Sequence, residues 1–267
     1  MTSKGAADHV VIVTGATSGF GRATAKKFAK AGAHVVMAGR REERLAKLKD
    51  EFGDLVHVVP LDVRDNAAVA VAFTDLPAPF DAPTVLVNNA GLALGLEPAD
   101  KADLEEWTRM IDTNVTGLTT VTFAVLRGMV ERGHGHIINL GSVAGTYPYP
   151  GGNVYGATKA FVHQFSLNLR ADLVDKNIRV TSVEPGAAET EFSEVRFGND
   201  KAKAAAFYKG FGALSAEDVA DVIFFAATLP ESVNINVLEL MPTAQAFAGY
   251  AVHRDSSADR GRLLPVT

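Results

Sequence analysis

Residues 10–21 read VVIVTGATSGFG, and their reading decides the fold. Val10 to Val13 is a β-branched run of strand type, and Arg22 to Ala31 carries the apolar spacing of a helix. Between them Gly15, Gly19 and Gly21 supply a turn in which the main chain adopts conformations closed to other residues. Strand, glycine-rich turn and helix follow in the order of a dinucleotide-binding unit, with the spacing GxxxGxG in place of GxGxxG. A turn of this kind lets the backbone approach a pyrophosphate, whose charge the following helix N-terminus favours.

The pattern repeats outward from this unit. A second strand, His34 to Ala38, ends at Gly39-Arg40-Arg41, where an NAD site carries an acid for the ribose 2′-hydroxyl. Gly39 removes that acid. Arg40 and Arg41 can pair with a 2′-phosphate, which reads as NADP, or can simply open the charged helix Glu42 to Glu51. Leu55 to Leu61 is a third strand, followed by Asp62-Val63 and a helix from about Asn66 to Leu76. Val85 to Val87 is a fourth, ending in Asn88-Asn89-Ala90-Gly91. Strands alternating with helices define an α/β chain with a doubly wound parallel sheet (a Rossmann fold), which binds ligands beyond the carboxyl ends of its strands.

Asp103 is placed to cap the next helix, with Glu106 as its partner in a box, and Asn114 interrupts an apolar pattern further along. A buried Asn needs partners, and this one either ties backbone groups together or serves a site. His136 to Leu140 is a fifth strand; a Gly/Pro/Tyr loop carries the chain from it into a helix near Tyr155. Tyr155 and Lys159, four apart, share a helical face, and Ser142 stands across the loop from them. A phenol titrates near ~10, and a cation beside it stabilises the phenolate. By itself such a pair is usually a half-buried aromatic beside a solvated charge, and the rest of the chain has to overturn that reading.

A sixth strand, Ile178 to Val183, ends in Glu184-Pro185-Gly186. Ala187 to Leu214 is then polar, mixed and poor in strand signals, the mark of a lid or binding loop. A helix (Ala216 to Thr228) and a strand (Asn236 to Leu240) close the sheet, and the tail 251–267 is expected to be mobile unless a partner subunit orders it. One domain over 1–267 is expected. His134 and His136 form an HxH pair with no third ligand in evidence, so no metal site is expected, and Trp107 reads as a packing residue.

Composition agrees with this reading. The 267 residues are 47% hydrophobic, enough to bury one large core. The net charge is −5 with both signs interspersed, which argues against a nucleic-acid or anionic-membrane surface, so an anionic ligand must meet local cations. The chain has no cysteine, MTSKGAADH lacks an apolar signal core, and no apolar run reaches about 18 residues; a cytoplasmic protein without a membrane span is expected.

Together TGATSGFG (14–21), LD (61–62), NNAG (88–91), Asn114, Ser142, YGATK (155–159) and PG (185–186) followed by Thr190 resemble the short-chain dehydrogenase/reductase family over about Asp8 to Tyr250. More narrowly, VNNAGLALGLEP, ERGHGHIINLGS, GGNVYGATKAFV and EFSEVRF resemble NADP-dependent 3-hydroxy acid dehydrogenases acting on serine and allo-threonine, and sulfoacetaldehyde reductases share the pattern. The resemblance implies Tyr155 as general acid/base, Lys159 as the cation that lowers its pKa and holds the nicotinamide ribose, Ser142 on the substrate oxygen, and Asn114 beside a proton-relaying water. It extends the cofactor contacts to Thr17, Ser18 and Phe20, assigns adenine to Asp62 and Val63, gives Asn89, Ala90 and Gly91 to the cleft, and gives Pro185, Gly186 and Thr190 to the carboxamide end. Pairing of the helices at 103–132 and 155–174 into a homotetramer is likewise implied.

Substrate choice is expected from the loop and from the segments 92–96 and 147–153. Arg196 is a candidate for a substrate carboxylate or sulfonate, or else a solvated arginine; Glu189 either favours a substrate amine or faces water. The resulting expectation is NADP-dependent interconversion of a small 3-hydroxy acid and its 3-oxo acid. Reduction of sulfoacetaldehyde is the alternative within enzymes, and a non-catalytic NADP sensor the alternative outside them.

Overall fold

The structure, a computed structural model, describes residues 5–198, 200, 202, 208, 210 and 212–247. Its centre is a seven-stranded parallel sheet in the order β3-β2-β1-β4-β5-β6-β7. The strands are β1 Val10–Thr14, β2 His34–Gly39, β3 Val56–Pro60, β4 Val85–Asn88, β5 Gly135–Leu140, β6 Ile178–Pro185 and β7 Val237–Leu240. Alternation along the strands feeds two cores. Val11 and Val13 join Phe28, Met37 and Ile223 on one face of the sheet, while Ile12 joins Val36, Leu86, Val121 and Met129 on the other.

The helices follow the strands: α1 Gly19–Lys30, α2 Glu42–Phe52, α3 Asn66–Ala72, α4 Leu104–Ile111, α5 Leu118–Arg132, α6 Asn153–Asp172, α7 Glu191–Arg196 and α8 Ala216–Thr228. Their starts have chemical causes. Asp65 accepts from the Ala68 N–H at 3.0 Å, and Ser215 and Asp218 form a reciprocal capping box on α8. Asp103 caps α4 through the Glu105 N–H at 2.8 Å, one residue short of the box expected with Glu106.

Several boundaries differ from the sequence reading. α1 begins at Gly19 rather than Arg22, directly after Ser18, with Gly19 at φ +48°, a left-handed conformation that favours glycine. α3 stops at Ala72, where Phe73 leaves helical geometry and turns with Leu76 and Phe80 into the core. β6 runs on through Glu184 and Pro185. The segment 187–214 is not wholly irregular: it contains α7, and its ends are tied by a parallel bridge between Ala188 and Leu214. Part of it, and the tail 251–267 read as mobile, lie outside the described residues. Among the described residues no helix is long and apolar enough to cross a membrane.

The sheet order reverses between β1 and β4, and there the two strand ends are stitched together. The Thr14 hydroxyl accepts the N–H groups of Asn89 and Ala90, each at 3.0 Å, and Asn89 Nδ2 donates to Thr14 O at 2.8 Å. Gly21 makes room for this stitch, since a Cβ there would meet Asn89 Nδ2 and lie 2.5 Å from Gly15 O. Gly21→Ala should therefore overpack the turn by about 1–3 kcal/mol, and a melting experiment should show Tm lower by several degrees; an unchanged Tm would contradict the packing.

Candidate active site

A cavity of about 700 Å³ lies along the carboxyl ends of the strands. At one end are the first turn (Gly15, Thr17, Ser18, Gly19, Phe20), the β2–α2 corner (Arg40, Arg41) and the β3 end (Asp62, Val63). Asn89, Ala90 and Gly91 form its middle, and Ser142, Tyr155, Lys159, Pro185, Gly186, Thr190 and Arg196 line the other end. Of the residues expected in the site, Gly21 and Asn114 do not line the cavity; both lie behind its wall.

Asn114 sits in a π-helical turn, Asp112–Gly117, that joins α4 to α5. Its amide is fully engaged: Oδ1 accepts from Leu92 N–H at 2.8 Å, and Nδ2 donates to Leu92 O at 2.8 Å and Thr158 Oγ1 at 3.0 Å. Its side chain thus ties backbone groups and α6 together, and Gly91 passes close by, a Cβ there falling 3.2 Å from Asn114 Oδ1.

Ser142 follows β5 in extended conformation, donating to Pro185 O at 3.3 Å and accepting from Ala144 N–H at 3.2 Å. Gly145 lets this loop lie on α6, since a Cβ there would be 2.8 Å from the Lys159 carbonyl carbon. Tyr155 is buried in a small apolar cluster with Leu92, Ala93, Met110 and Ala144, with Trp107, Tyr149 and Phe192 packed around it. Burial pushes its phenol up to about 12, opposed by a hydrogen bond with Ser142 and by the charge of Arg196. Lys159 is not the cation that dominates here. It is itself buried, which pushes it down to about 8 against a partial rise from Glu184, and its ammonium donates to Leu140 O at 2.7 Å, 5.8 Å from the Tyr155 ring centre.

Arg196 stands beside the phenol. Its guanidinium is 5.4 Å from the Tyr149 ring and 5.6 Å from the Tyr155 ring, and it donates to Tyr149 Oη at 2.7 Å. Glu189 instead lines a second hollow between α1 and α8, so it does not reach the cavity of Tyr155.

At the opposite end Asp62 accepts the Arg64 N–H at 3.1 Å and its guanidinium at 2.6 Å, and lies 3.9 Å from Arg40. The Arg64 hydrogen bond, opposed by burial, holds the Asp62 carboxyl below its usual value. Ser18 gives α1 no side-chain cap and accepts from Arg41 instead, leaving the first-turn N–H groups to other partners. With no acid in that first turn, these donors and the neighbouring guanidiniums fit a phosphorylated cofactor.

Sequence reasoning missed Arg44, Glu191, Tyr208 and Gln245. Arg44 follows Arg41 by one helical turn, which is a usable signal, whereas Glu191 and Tyr208 reach the site only because the loop folds back. Tyr208 donates to Ala188 O at 2.7 Å and is hydrogen-bonded to Ser193; Gln245 Oε1 accepts the Ala187 N–H at 2.7 Å. His136 is buried against Thr181 Oγ1 at 2.8 Å, and burial holds it well below its ordinary value. Among the described residues no cluster of three or more metal-type side chains exists.

This arrangement of glycine turn, NNAG segment and Ser142, Tyr155 and Lys159 is that of a short-chain dehydrogenase, and the family model for short chain dehydrogenases matches residues 9–200. The chain belongs to that family. It is 56% identical over 246 residues to the NADP-dependent 3-hydroxy acid dehydrogenase YdfG of Escherichia coli, covering 92% of this chain and 99% of that protein. It is 55% identical over 249 residues to sulfoacetaldehyde reductase 2 of Chromohalobacter salexigens, with coverage of 92% and 99%. Among solved structures it matches the closed form of serine dehydrogenase complexed with NADP+ at a TM-score of 0.90 and 56% identity, over 92% of this chain and 99% of that one.

Asn114→Ala would leave the buried N–H and C=O of Leu92 unpaired. A loss of about 2–4 kcal/mol in unfolding stability is expected, measured by denaturant titration; a change under about 0.5 kcal/mol would be inconsistent with these bonds being buried.

Proposed function

We propose that the chain is an NADP-dependent oxidoreductase interconverting a small 3-hydroxy acid and its 3-oxo acid by hydride transfer. The observation that carries this reading is Arg196, a guanidinium held beside Tyr155, which gives an acidic substrate an anchor next to the proton donor. The relatives' names support both the cofactor and the substrate class.

When bound, the nicotinamide supplies or accepts the hydride. Tyr155 donates its proton to the carbonyl oxygen in reduction and takes it from the hydroxyl in oxidation, and Ser142 hydrogen-bonds the same oxygen as charge develops. Lys159 adds its charge to that of Arg196 in favouring the phenolate and holds the ribose. Arg40 and Arg41 meet the 2′-phosphate, Asp62 and Val63 the adenine, the Gly15–Gly21 turn the pyrophosphate, Asn89 to Gly91 the cleft, and Pro185, Gly186 and Thr190 the carboxamide. Asn114 acts through Leu92 and Thr158 as a positioning residue.

Sulfoacetaldehyde reduction is the second reading, because Arg196 suits a sulfonate as well and a sulfoacetaldehyde reductase is 55% identical. We further propose a cytoplasmic homotetramer. Leu104, Ile111 and Phe123 on α4–α5 are exposed, Phe123 at 83%, and Phe161 on α6 is partly so, which supports pairing of these helices.

The test is NADPH oxidation with 3-oxopropanoate, sulfoacetaldehyde and an uncharged short aldehyde, repeated with NADH. NADPH and the acidic substrates should be preferred. The Arg196→Ala variant should raise KM for the acidic substrates at least about tenfold while leaving the uncharged aldehyde nearly unchanged; a uniform effect would remove the anchor. Tyr155 stays protonated across the neutral range, the form needed for reduction, while Lys159 loses its charge as pH rises through about 8. The kcat for reduction should therefore fall above about pH 8, and Tyr155→Phe should lose about 10²–10⁴-fold at all pH values. A rate rising through that range would contradict the assignment.

A further inference from the structure

Glu191, the first residue of α7, joins two cations that the mechanism leaves apart. Its Oε2 accepts from Arg41 at 3.0 Å, and its Oε1 and Oε2 accept from one Arg44 nitrogen, each at 2.8 Å. Arg41 is fixed on its other edge by Thr17 Oγ1 at 3.0 Å and Ser18 Oγ at 2.5 Å, and Arg44 also donates to Thr17 O at 3.2 Å. One carboxylate from the 187–214 loop thus locks two arginines of the β2–α2 corner onto the turn that follows β1.

Two like charges so close repel, and a long arginine side chain at the surface samples many rotamers. The carboxylate removes both costs in advance of ligand binding. Burial alone would raise the Glu191 carboxyl, yet the bonds from Arg44 and Arg41 outweigh it and hold it below the usual range, so the group is charged at neutral pH. In the ion pairs at this corner the four guanidiniums of Arg40, Arg41, Arg44 and Arg64 share two carboxylates, Asp62 and Glu191, with Asp112 acting on Arg64 from further off. A phosphate monoester, carrying roughly −1.5 to −2 at neutral pH, suits guanidiniums that share their carboxylates in this way.

The same short helix ends at Arg196, which donates to Gly95 O at 3.4 Å and to Tyr149 at 2.7 Å. α7 therefore spans the cavity, with one end on the corner that distinguishes NADP from NAD and the other on the substrate anchor. We propose that Glu191 is a positioning residue that pre-orients Arg41 and Arg44 for the 2′-phosphate and, through α7, couples that end of the site to Arg196. The proposal rests on the NADP reading above and deepens it: Glu191 sets cofactor discrimination without touching the reacting atoms.

The experiment is fluorescence titration of NADPH and NADH into the purified chain and Glu191→Gln, with steady-state kinetics on 3-oxopropanoate and an uncharged aldehyde. The Glu191 side chain is 37% exposed, so the variant should fold, and its Tm is recorded alongside. Glu191→Gln should weaken NADPH about tenfold and NADH less than twofold, and raise KM for the acid more than for the uncharged aldehyde with kcat little changed. Glu191→Asp should recover part of the discrimination. Tighter NADPH binding in Glu191→Gln would make the carboxylate a competitor of the phosphate, and equal losses for both cofactors would make it merely structural; either overturns the proposal, as does no change. If the unsubstituted chain itself fails to prefer NADPH, the NADP reading falls and the proposal with it. A wild-type preference that survives the substitution removes the role of Glu191 alone.

Discussion

The constraint on which the site depends is the closure of the β1–β4 switch by Thr14 and Asn89. Two parallel strands whose following helices leave to opposite faces open a crevice between them, and their terminal N–H and C=O groups would face that crevice unpaired. Thr14 Oγ1 takes up two of the donors, and Asn89 returns a bond to Thr14 O. Only a chain without side chains at Gly15 and Gly21 can approach so closely, because Cβ atoms at both positions would strike Asn89. The glycine spacing is therefore a packing requirement of the protein itself as much as a provision for phosphates. That dual cause explains why Gly21 belongs behind the cavity while its neighbours line it.

A second set of buried polar groups holds the opposite half of the cleft. Asn88 Nδ2 donates to Thr122 and Asn139, and Asn139 Nδ2 to Ser166, so β4 and β5 are bound to α5 and α6 by a row of amides and hydroxyls inside the core. Such a row specifies one register, since each member left unpaired costs about 1–3 kcal/mol. Above it the π-turn at Asn114 swings one extra residue into the helix, and its amide clamps Leu92 against α6. The apolar wall around Tyr155 is built on that clamp. Burial then does to Tyr155 and Lys159 what proximity alone would not: it disfavours the charged form of each, moving the phenol up and the ammonium down so that the two values part.

The fold was legible in the residues because the strands end in recognisable turns and the longer helices show their period; the seven strands lie where the β-branched runs stand, while the six residues of α7 are hidden in a run that reads as irregular. The cavity was equally legible from the strand ends, since in a parallel sheet those ends meet on one side. Helix ends were less so. α3 is cut short because Phe73 and Leu76 gain more by entering the core than by continuing a helix, a tertiary effect with no local mark. The π-turn is hidden for the same reason: a sequence shows that Asn114 interrupts an apolar stripe and not that the helix changes its winding there. Glu191 shows the limit most clearly. Its partners are 147 and 150 positions away in sequence, and nothing in the run EFSEVRF foretells that its first acid will meet Arg41 and Arg44.

Charge is distributed in the same logic. The chain as a whole carries −5, yet the β2–α2 corner and its neighbours gather guanidiniums at one mouth of the cavity and Arg196 at the other. An anion approaching an acidic protein is repelled everywhere except where low-dielectric walls focus a local positive field, so these two places select for ligands with negative groups at both ends of the cleft. Arginine suits both because its planar fork keeps its charge and its geometry when partly desolvated, where a lysine would lose the first and lacks the second. Lys159, the one lysine among the described residues that line the cavity, shows that contrast directly: burial lowers it to about 8, a condition useful to a group that must respond to its neighbours and of little use to one that must anchor an anion.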